Sequence, residues 1–395
     1  MRNTYQAFLP CAITAFLFIT IAGCSRYDAV RLARIAASRD PVAAAESLAT
    51  SKAVNYAVNP KALEQDIKAF KGLLEQFIKA ITGKWGAEEV ELPTPKRYVK
   101  YTQNYQSRAM VDFDKGVVTV ETVDRKKPQQ SLREAIIITL LTPSDPRAVN
   151  LYSAKTVELG ETPFLLGEVL DNENRQVRWE WRASRFADYL VVNKIQTRKS
   201  ASGKTVTYVT IPMVKDHLHI RAAKYSQYVE ASAKRFKVSR NLIYAIMKVE
   251  SDFNPFAVSS AMAVGLMQVV PKTAGGDVYK MLYGKKGYPS RKALFTPSTN
   301  ITYGTGYLHL LQYRYLAGIQ DSVSREYCVI AGYNGGAGGV LRTFDKNRKT
   351  AVRKLNSMDP RQVYEKLRKE LPYAETKRYL YKVLNAKKEF VNFQL

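Results

Sequence analysis

The stretch "NLIYAIMKVE", residues 241–250, ends an apolar run on a carboxylate. Residues three and four apart share one face of a helix, so Ile243, Ile246, Met247 and Glu250 line a single stripe. Ser239 and Asn241 are both candidate N-caps, and Asn254-Pro255 ends the run. If the stripe faces a core, Glu250 emerges at its rim, partly out of water. Apolar surroundings disfavour a charged carboxylate, which is how a general acid working near neutral pH is made. On spacing alone, a solvated helix-terminal glutamate fits as well.

Glycoside cleavage normally uses two carboxylates facing each other across the bond. Here the second is hard to find. Asp252, two residues on, would point to the other side of a helix, and Asp277, Asp321 and Asp345 have no apolar frame like that of Glu250. If a sugar bond is cut, one acid must carry both proton transfers.

Next comes "FAVSSAMAVGLMQ", residues 256–268. Its small residues, Ala257, Ser259, Ser260, Ala261, Ala263 and Gly265, let backbone and a ligand approach closely. Gln268 adds an amide for a sugar hydroxyl or acetamido group. A tight helix–helix contact fits that composition equally. Farther on, "AGYNGGAGGVLRTF" follows a helical segment with no βαβ unit, so its glycines do not read as a nucleotide loop. Tyr333-Asn334 before the flexible turn reads instead as a polar wall. Metal and nucleophile chemistry lack donors. The histidines are His217, His219 and His309, and Cys328 sits among apolar neighbours as a small core residue.

The elements that must position these groups divide the chain in two. Pro60 opens a helix with Leu63, Ile67, Phe70, Leu74, Phe77, Ile78 and Ile81 at helical steps, stopped by Gly83. "SRAMVDFDKGVVTVETV" reads as two strands around Asp114-Lys115-Gly116, and "SLREAIIITLL" as a helix ended by Pro143. "QTRKSASGKTVTYVTI" reads as a second hairpin. Residues 59–213 are therefore expected to form an α+β domain. From Asp216 almost everything has helical period, and the boundary is placed near Pro212–Asp216, leaving 214–395 as an all-α domain.

The ends of the chain and its charge speak to location. Arg2, an apolar run from Ala7 to Ala22 and the small residues before Cys24 have the layout of a secretory signal over 1–23. "IAGC" at 21–24 resembles the bacterial lipobox, whose cysteine is diacylated and becomes the new N-terminus. Ser25 in place of Asp favours the outer membrane. Residues 24–58 then read as the lipidated Cys24 and an Ala-rich tether. The net charge of +26 predicts attraction to an anionic polymer or surface. A lipid chain plus basic protein is a two-signal anchor. Nucleic acid is excluded by export and by the lack of reading motifs.

Taken together, "ESDFNPFAVSSAMAVGLMQVVPKTA", "LFTPSTNITYGTGYL", "GYNGGAGGVLR" and "ETKRYLYKVL", in that order over residues 250–384, resemble the motifs of the family 1 soluble-type lytic transglycosylases. The segments "YVKYTQNYQSRAMVDFD" and "RASRFADYLVVNKIQTR" resemble the N-terminal domain of a membrane-bound branch, so the resemblance covers most of residues 60–393. It implies a goose-lysozyme-like helical catalytic domain and no cofactor or metal. It implies Glu250 as sole acid/base on the bond between N-acetylmuramic acid and N-acetylglucosamine, with a 1,6-anhydro product. Ser259, Gln268, Tyr333, Asn334, Glu375 and Tyr379 match its substrate-binding positions. The implied partners are peptidoglycan strands, the outer membrane seen from the periplasm, and cell-wall synthesis or division proteins. Val270, Gly332 and Met262 depart from the usual pattern and bear on subsite shape. The rival readings are a goose-type lysozyme, which needs a positioned water, and a non-catalytic wall-binding lipoprotein.

Overall fold

The computed structural model describes residues 60–160, 162–259 and 262–393, and the side chains from residue 71 onward. The signal, lipidation and tether readings for residues 1–58, Cys24 among them, lie outside the described residues. So do Ser260 and Ala261.

The first half is built on a five-stranded antiparallel sheet. The strands are β1 (Arg97–Thr102), β2 (Ser107–Asp112), β3 (Val117–Thr122), β4 (Gln196–Lys199) and β5 (Thr205–Pro212), in the order β1-β2-β3-β5-β4. Both faces are covered. Helices α2 (Pro128–Leu140) and α3 (Glu180–Asn193) pack on one face over Tyr98, Val111, Val118 and Val209. Helix α1 (Pro60–Trp85) covers the other with Phe77, Ile81 and Trp85 against Val99, Tyr101 and Val206. Successive strand residues point to opposite faces, so Tyr98 joins one core and Val99 the other.

Both expected hairpins form, and Gly116 at φ 64 makes the tight β2–β3 turn that only glycine enters without strain. Gly83 does not stop α1, as the sequence suggested. The helix runs on to Trp85, whose burial at 0% exposure and Nε1 hydrogen bond to the Tyr105 carbonyl (2.6 Å) outweigh the glycine's weak helix propensity. Strand β1 and helix α3 were not anticipated. In β1 both faces are buried, so the strand lacks the polar–apolar alternation that marks a half-exposed one.

The second half is helical. It comprises α4 (His217–Ala223), α5 (Ser226–Phe236), α6 (Arg240–Ser251), α7 (Ala274–Tyr283), α8 (Arg291–Leu294), α9 (Pro297–Leu310), α10 (Ser322–Gly335), α11 (Ala337–Arg342), α12 (Arg348–Asn356), α13 (Pro360–Glu370) and α14 (Ala374–Glu389). One continuous core joins them, with Ile243, Ile246 and Met247 at its centre and Cys328 fully buried. Helices α4 and α5 are separated at Lys224-Tyr225, where Lys224 turns back to the sheet domain. No helix among the described residues is long and apolar enough to cross a membrane.

Candidate active site

Helix α6 is the element that delivers Glu250. Ser239 stands at its N-cap, and Leu242, Ile243, Ala245, Ile246 and Met247 are all buried. Removing each of the larger of these from water is worth about 1.5–3 kcal/mol, so the helix is fixed by its stripe. Glu250 lies one turn beyond Met247 and is half-buried, as the stripe predicts.

The chain then leaves the helix abruptly. Asp252 and Phe253 both take left-handed backbone, φ 48 and 60. Asp252 is not a solvated neighbour of the helix. It is 1% exposed, with Lys96 Nζ 2.7 Å from its Oδ2 and Lys248 Nζ 3.8 Å from its Oδ1. Ser251 donates to the Met247 carbonyl (3.0 Å) and the Leu266 carbonyl (2.7 Å), tying the end of α6 to the loop opposite.

None of the described residues of that loop, 254–270, is helical. Bridges Val258–Val264 and Val264–Val269 fold it into a small irregular β-structure. Ser259 closes a turn inside it, its Oγ accepting from the Ala263 amide (3.1 Å). Gln268 sits at φ 47 and is 8% exposed. Its Nε2 donates to the Gly265 carbonyl (2.9 Å), and its buried Oε1 has no partner among the described residues. Asn300 of α9 clamps the loop from behind. It accepts from the Met267 amide (2.8 Å) and donates to the carbonyls of Val264 (2.7 Å) and Leu294 (2.9 Å). Gly265, at φ 74, has no room for a side chain, because a Cβ there would strike the Asn300 amide.

Two tyrosines face the carboxylate. Tyr333, on α10, donates its hydroxyl to the Met267 carbonyl (2.8 Å) and holds its ring 5.7 Å from Tyr307. Burial first, and the nearby Glu250 charge second, push its pKa far up. Tyr379, on α14, is 5% exposed, and burial followed by the Glu250 charge drives its hydroxyl the same way. Asn334 accepts from the Thr376 hydroxyl (2.8 Å), which joins α10 to α14 beside the two rings. Glu375 lies exposed in the first turn of α14.

The tertiary structure thus gathers Glu250, Tyr333 and Tyr379 at one place, with Gln268 on the loop that Tyr333 holds. Ser259 lies within that loop, Asn334 follows Tyr333 on α10, and Glu375 stands near Tyr379 on α14. Two of the other acids are otherwise engaged: Asp321 caps α10 through the Ser324 amide (2.7 Å), and Asp345 pairs with Lys354 at 2.8 Å. The sequence did not point to Asn300, Thr376, Ser251 or Lys96. Each acts on backbone or on another polar side chain, which leaves no periodic signal. His217 and His219 lie against Arg221 and Asp216, at 2.7 and 2.6 Å, and no group of three metal-ligating side chains occurs among the described residues.

Comparison with known proteins agrees with this architecture. Residues 63–224 match the family model described as membrane-bound lytic murein transglycosylase C, N-terminal domain. Residues 227–356 match the transglycosylase SLT domain. Proteins named membrane-bound lytic murein transglycosylase C from Yersinia pestis and Yersinia pseudotuberculosis are 49% identical over 327 residues, 82% of this chain and 91% of theirs. The 70 kDa soluble lytic transglycosylase of Escherichia coli aligns over 43% of this chain and 24% of its own, at 24% identity and a TM-score of 0.34. At 49% identity over 82% of its length, and with both family models matched, the chain belongs to the membrane-bound lytic murein transglycosylase C family.

Proposed function

We propose that this lytic murein transglycosylase cuts the β-1,4 bond between N-acetylmuramic acid and N-acetylglucosamine with Glu250 as its one acid and base. Glu250 gives a proton to the glycosidic oxygen, and the bond to C1 of the muramic residue breaks. The resulting carboxylate takes the proton of the muramic C6 hydroxyl, whose oxygen bonds to C1 and closes a 1,6-anhydro ring. No water is consumed, and the glutamate ends as it began.

One observation carries the reading. Glu250 is half-buried beside two tyrosine hydroxyls, while the nearest acid in sequence, Asp252, is buried against Lys96. Asp252 is thereby taken out of the role of the second carboxylate of ordinary glycosidases, and Glu375 lies exposed on α14. In this reading the Tyr333 and Tyr379 hydroxyls stabilise the positive charge that develops on the sugar, and the buried Gln268 Oε1, without a partner among the described residues, offers an acceptor to a sugar N–H or O–H. Ser259, Asn334 and Glu375 shape the remainder of the sugar groove.

Activity is placed at the inner face of the outer membrane, with Cys24 diacylated. The relatives' name, membrane-bound, and the lipobox-like "IAGC" support this. The mass of the mature N-terminal peptide, with or without the diacylglycerol increment, checks it.

The test of the chemistry compares the full chain with Glu250→Gln on purified peptidoglycan, reading released fragments by mass spectrometry. Expected are fragments one water lighter than reducing muropeptides, absent from the variant. Reducing ends would make the enzyme a hydrolase, and glycan bound without release would make it a wall-binding protein.

A further inference from the structure

The proposed chemistry lies on the helical domain, yet the residues that follow Glu250 are held by the sheet domain. Glu250 is in the last turn of α6, where a helix has lost its own hydrogen-bond partners and frays unless something external holds it. Two consecutive non-glycine residues, Asp252 and Phe253, then adopt left-handed backbone. Side chains disfavour that conformation, and it persists only where the surroundings impose it.

Here the surroundings are supplied largely from the other domain. Lys96, at the foot of β1, places its Nζ 2.7 Å from Asp252 Oδ2. Asn254 is fully buried and donates to the Pro95 carbonyl (2.9 Å). Phe256 leaves the helical core altogether and packs in the sheet-domain core, 5.0 Å from the ring of Tyr98 and 5.2 Å from that of Phe164. Arg221 completes the seam, with Nη1 on the Asp252 carbonyl (2.6 Å) and Nε on the buried Glu168 (2.7 Å). Every residue pinned in this way lies two to six positions after Glu250.

We propose that the sheet domain is a positioning element for Glu250, with Lys96 as its principal contact. By holding Asp252 in the left-handed turn, Lys96 fixes the final turn of α6 and so the direction of the Glu250 carboxylate. Lys96 is a positioning residue and touches no reacting atom. The inference rests on Glu250 being the acid.

The experiment uses the full chain and its Lys96→Met and Lys96→Arg variants on purified peptidoglycan, well below their melting temperatures. Rates are measured across substrate concentration, and amide exchange is followed in the segment 248–256. A displaced acid loses rate without losing substrate, so Lys96→Met should lower kcat about tenfold and leave KM within about twofold. Exchange in 248–256 should quicken, and Lys96→Arg should recover most of the rate. Wild-type kcat in Lys96→Met with only a lower melting temperature would overturn the proposal, leaving the seam as a simple adhesive. A raised KM at unchanged kcat would also overturn it, by making Lys96 a glycan contact. Lys96→Gln carries the same test if Lys96→Met loses its cooperative melt. Glu250→Gln, run alongside, separates the two readings. Activity surviving there removes the acid, whereas an inactive Glu250→Gln with a fully active Lys96→Met removes only the positioning role.

Discussion

The two domains treat buried charge in opposite ways. The sheet domain encloses Lys100, Arg108, Glu121, Glu168 and Asp171, each less than 9% exposed. Arg108 alone contacts Glu121 Oε2 at 2.6 Å and Glu89 Oε2 at 3.0 Å, and lies 4.0 Å over the Trp85 ring, with Arg198 reaching the same two acids. In the helical domain, among the described residues, the buried charged side chains are Arg221 and Asp252, which meet at the seam with the sheet domain. Its interior is apolar, pinned by a neutral amide, Asn300. Buried charge is therefore a poor marker of chemistry in this protein. Where charges are many and mutually paired they build structure. The one half-buried carboxylate set among neutral tyrosines is the reactive candidate.

Three substitutions would sharpen or break that contrast. The largest effect is expected from Arg108→Met, which strands Glu121 and Glu89 in the sheet domain with Arg198 alone. Breaking a buried ionic cluster on one side costs about 3–5 kcal/mol. Denaturant unfolding should register that loss, while kcat, measured where the variant is folded, stays at the wild-type value. A fall in kcat would mean that this cluster reaches the site after all.

Asn300→Ala is expected next. It leaves the Met267 amide and two carbonyls without their partner, a loss of about 3 kcal/mol. Unlike the Arg108 variant it should lower activity as well, because the released loop carries Gln268 and the carbonyl that Tyr333 grips. Full activity in a destabilised Asn300→Ala would detach the loop from the site.

The smallest effect belongs to Lys100, and it depends on pH. Lys100 is 2% exposed and donates to the Asn150 and Ser153 carbonyls at 2.9 and 2.6 Å, with no ion pair to a carboxylate among the described residues, and burial lowers its pKa to about 8. Below about pH 8 folded and unfolded chains both hold the proton. Between there and the free lysine pKa of about 10.4 the unfolded chain keeps a proton that the folded one has released, so stability rises with pH. The wild-type protein should therefore gain about 2 kcal/mol relative to Lys100→Met from pH 8 to 10, read as the difference between two denaturant titrations. A flat difference would show that Lys100 stays charged.

Much of the scaffold was legible from spacing. The α6 stripe, the two hairpins and the buried Cys328 follow from apolar periodicity and turn residues, and Glu250 stands at the rim where the stripe puts it. Local rules failed where long-range packing overrode them. Trp85 carries α1 past Gly83 because its indole has a site waiting on the sheet. Asp252 was expected only to point to the other side of the helix from Glu250, and its neighbour there is a lysine from the other domain. Tyr333 and Asn334 read as a polar wall, and in the fold the Tyr333 hydroxyl donates to the Met267 carbonyl while the Asn334 side-chain carbonyl accepts from the Thr376 hydroxyl.

The sequence by itself determined which residues could act as acid, the α6 stripe and the two hairpins, and the order of motifs from Glu250 to Tyr379. Those properties depend on side-chain type and on neighbours within a turn or two, so they survive in one dimension. Only the tertiary structure decided what each buried polar group faces. Asn254 bonds to Pro95 from 159 residues away and Asn300 grips an amide 33 residues back, and no periodicity records such pairings. A buried donor or acceptor must find a partner wherever packing brings one, and here that requirement joined the sheet domain to the last turn of the helix that carries Glu250.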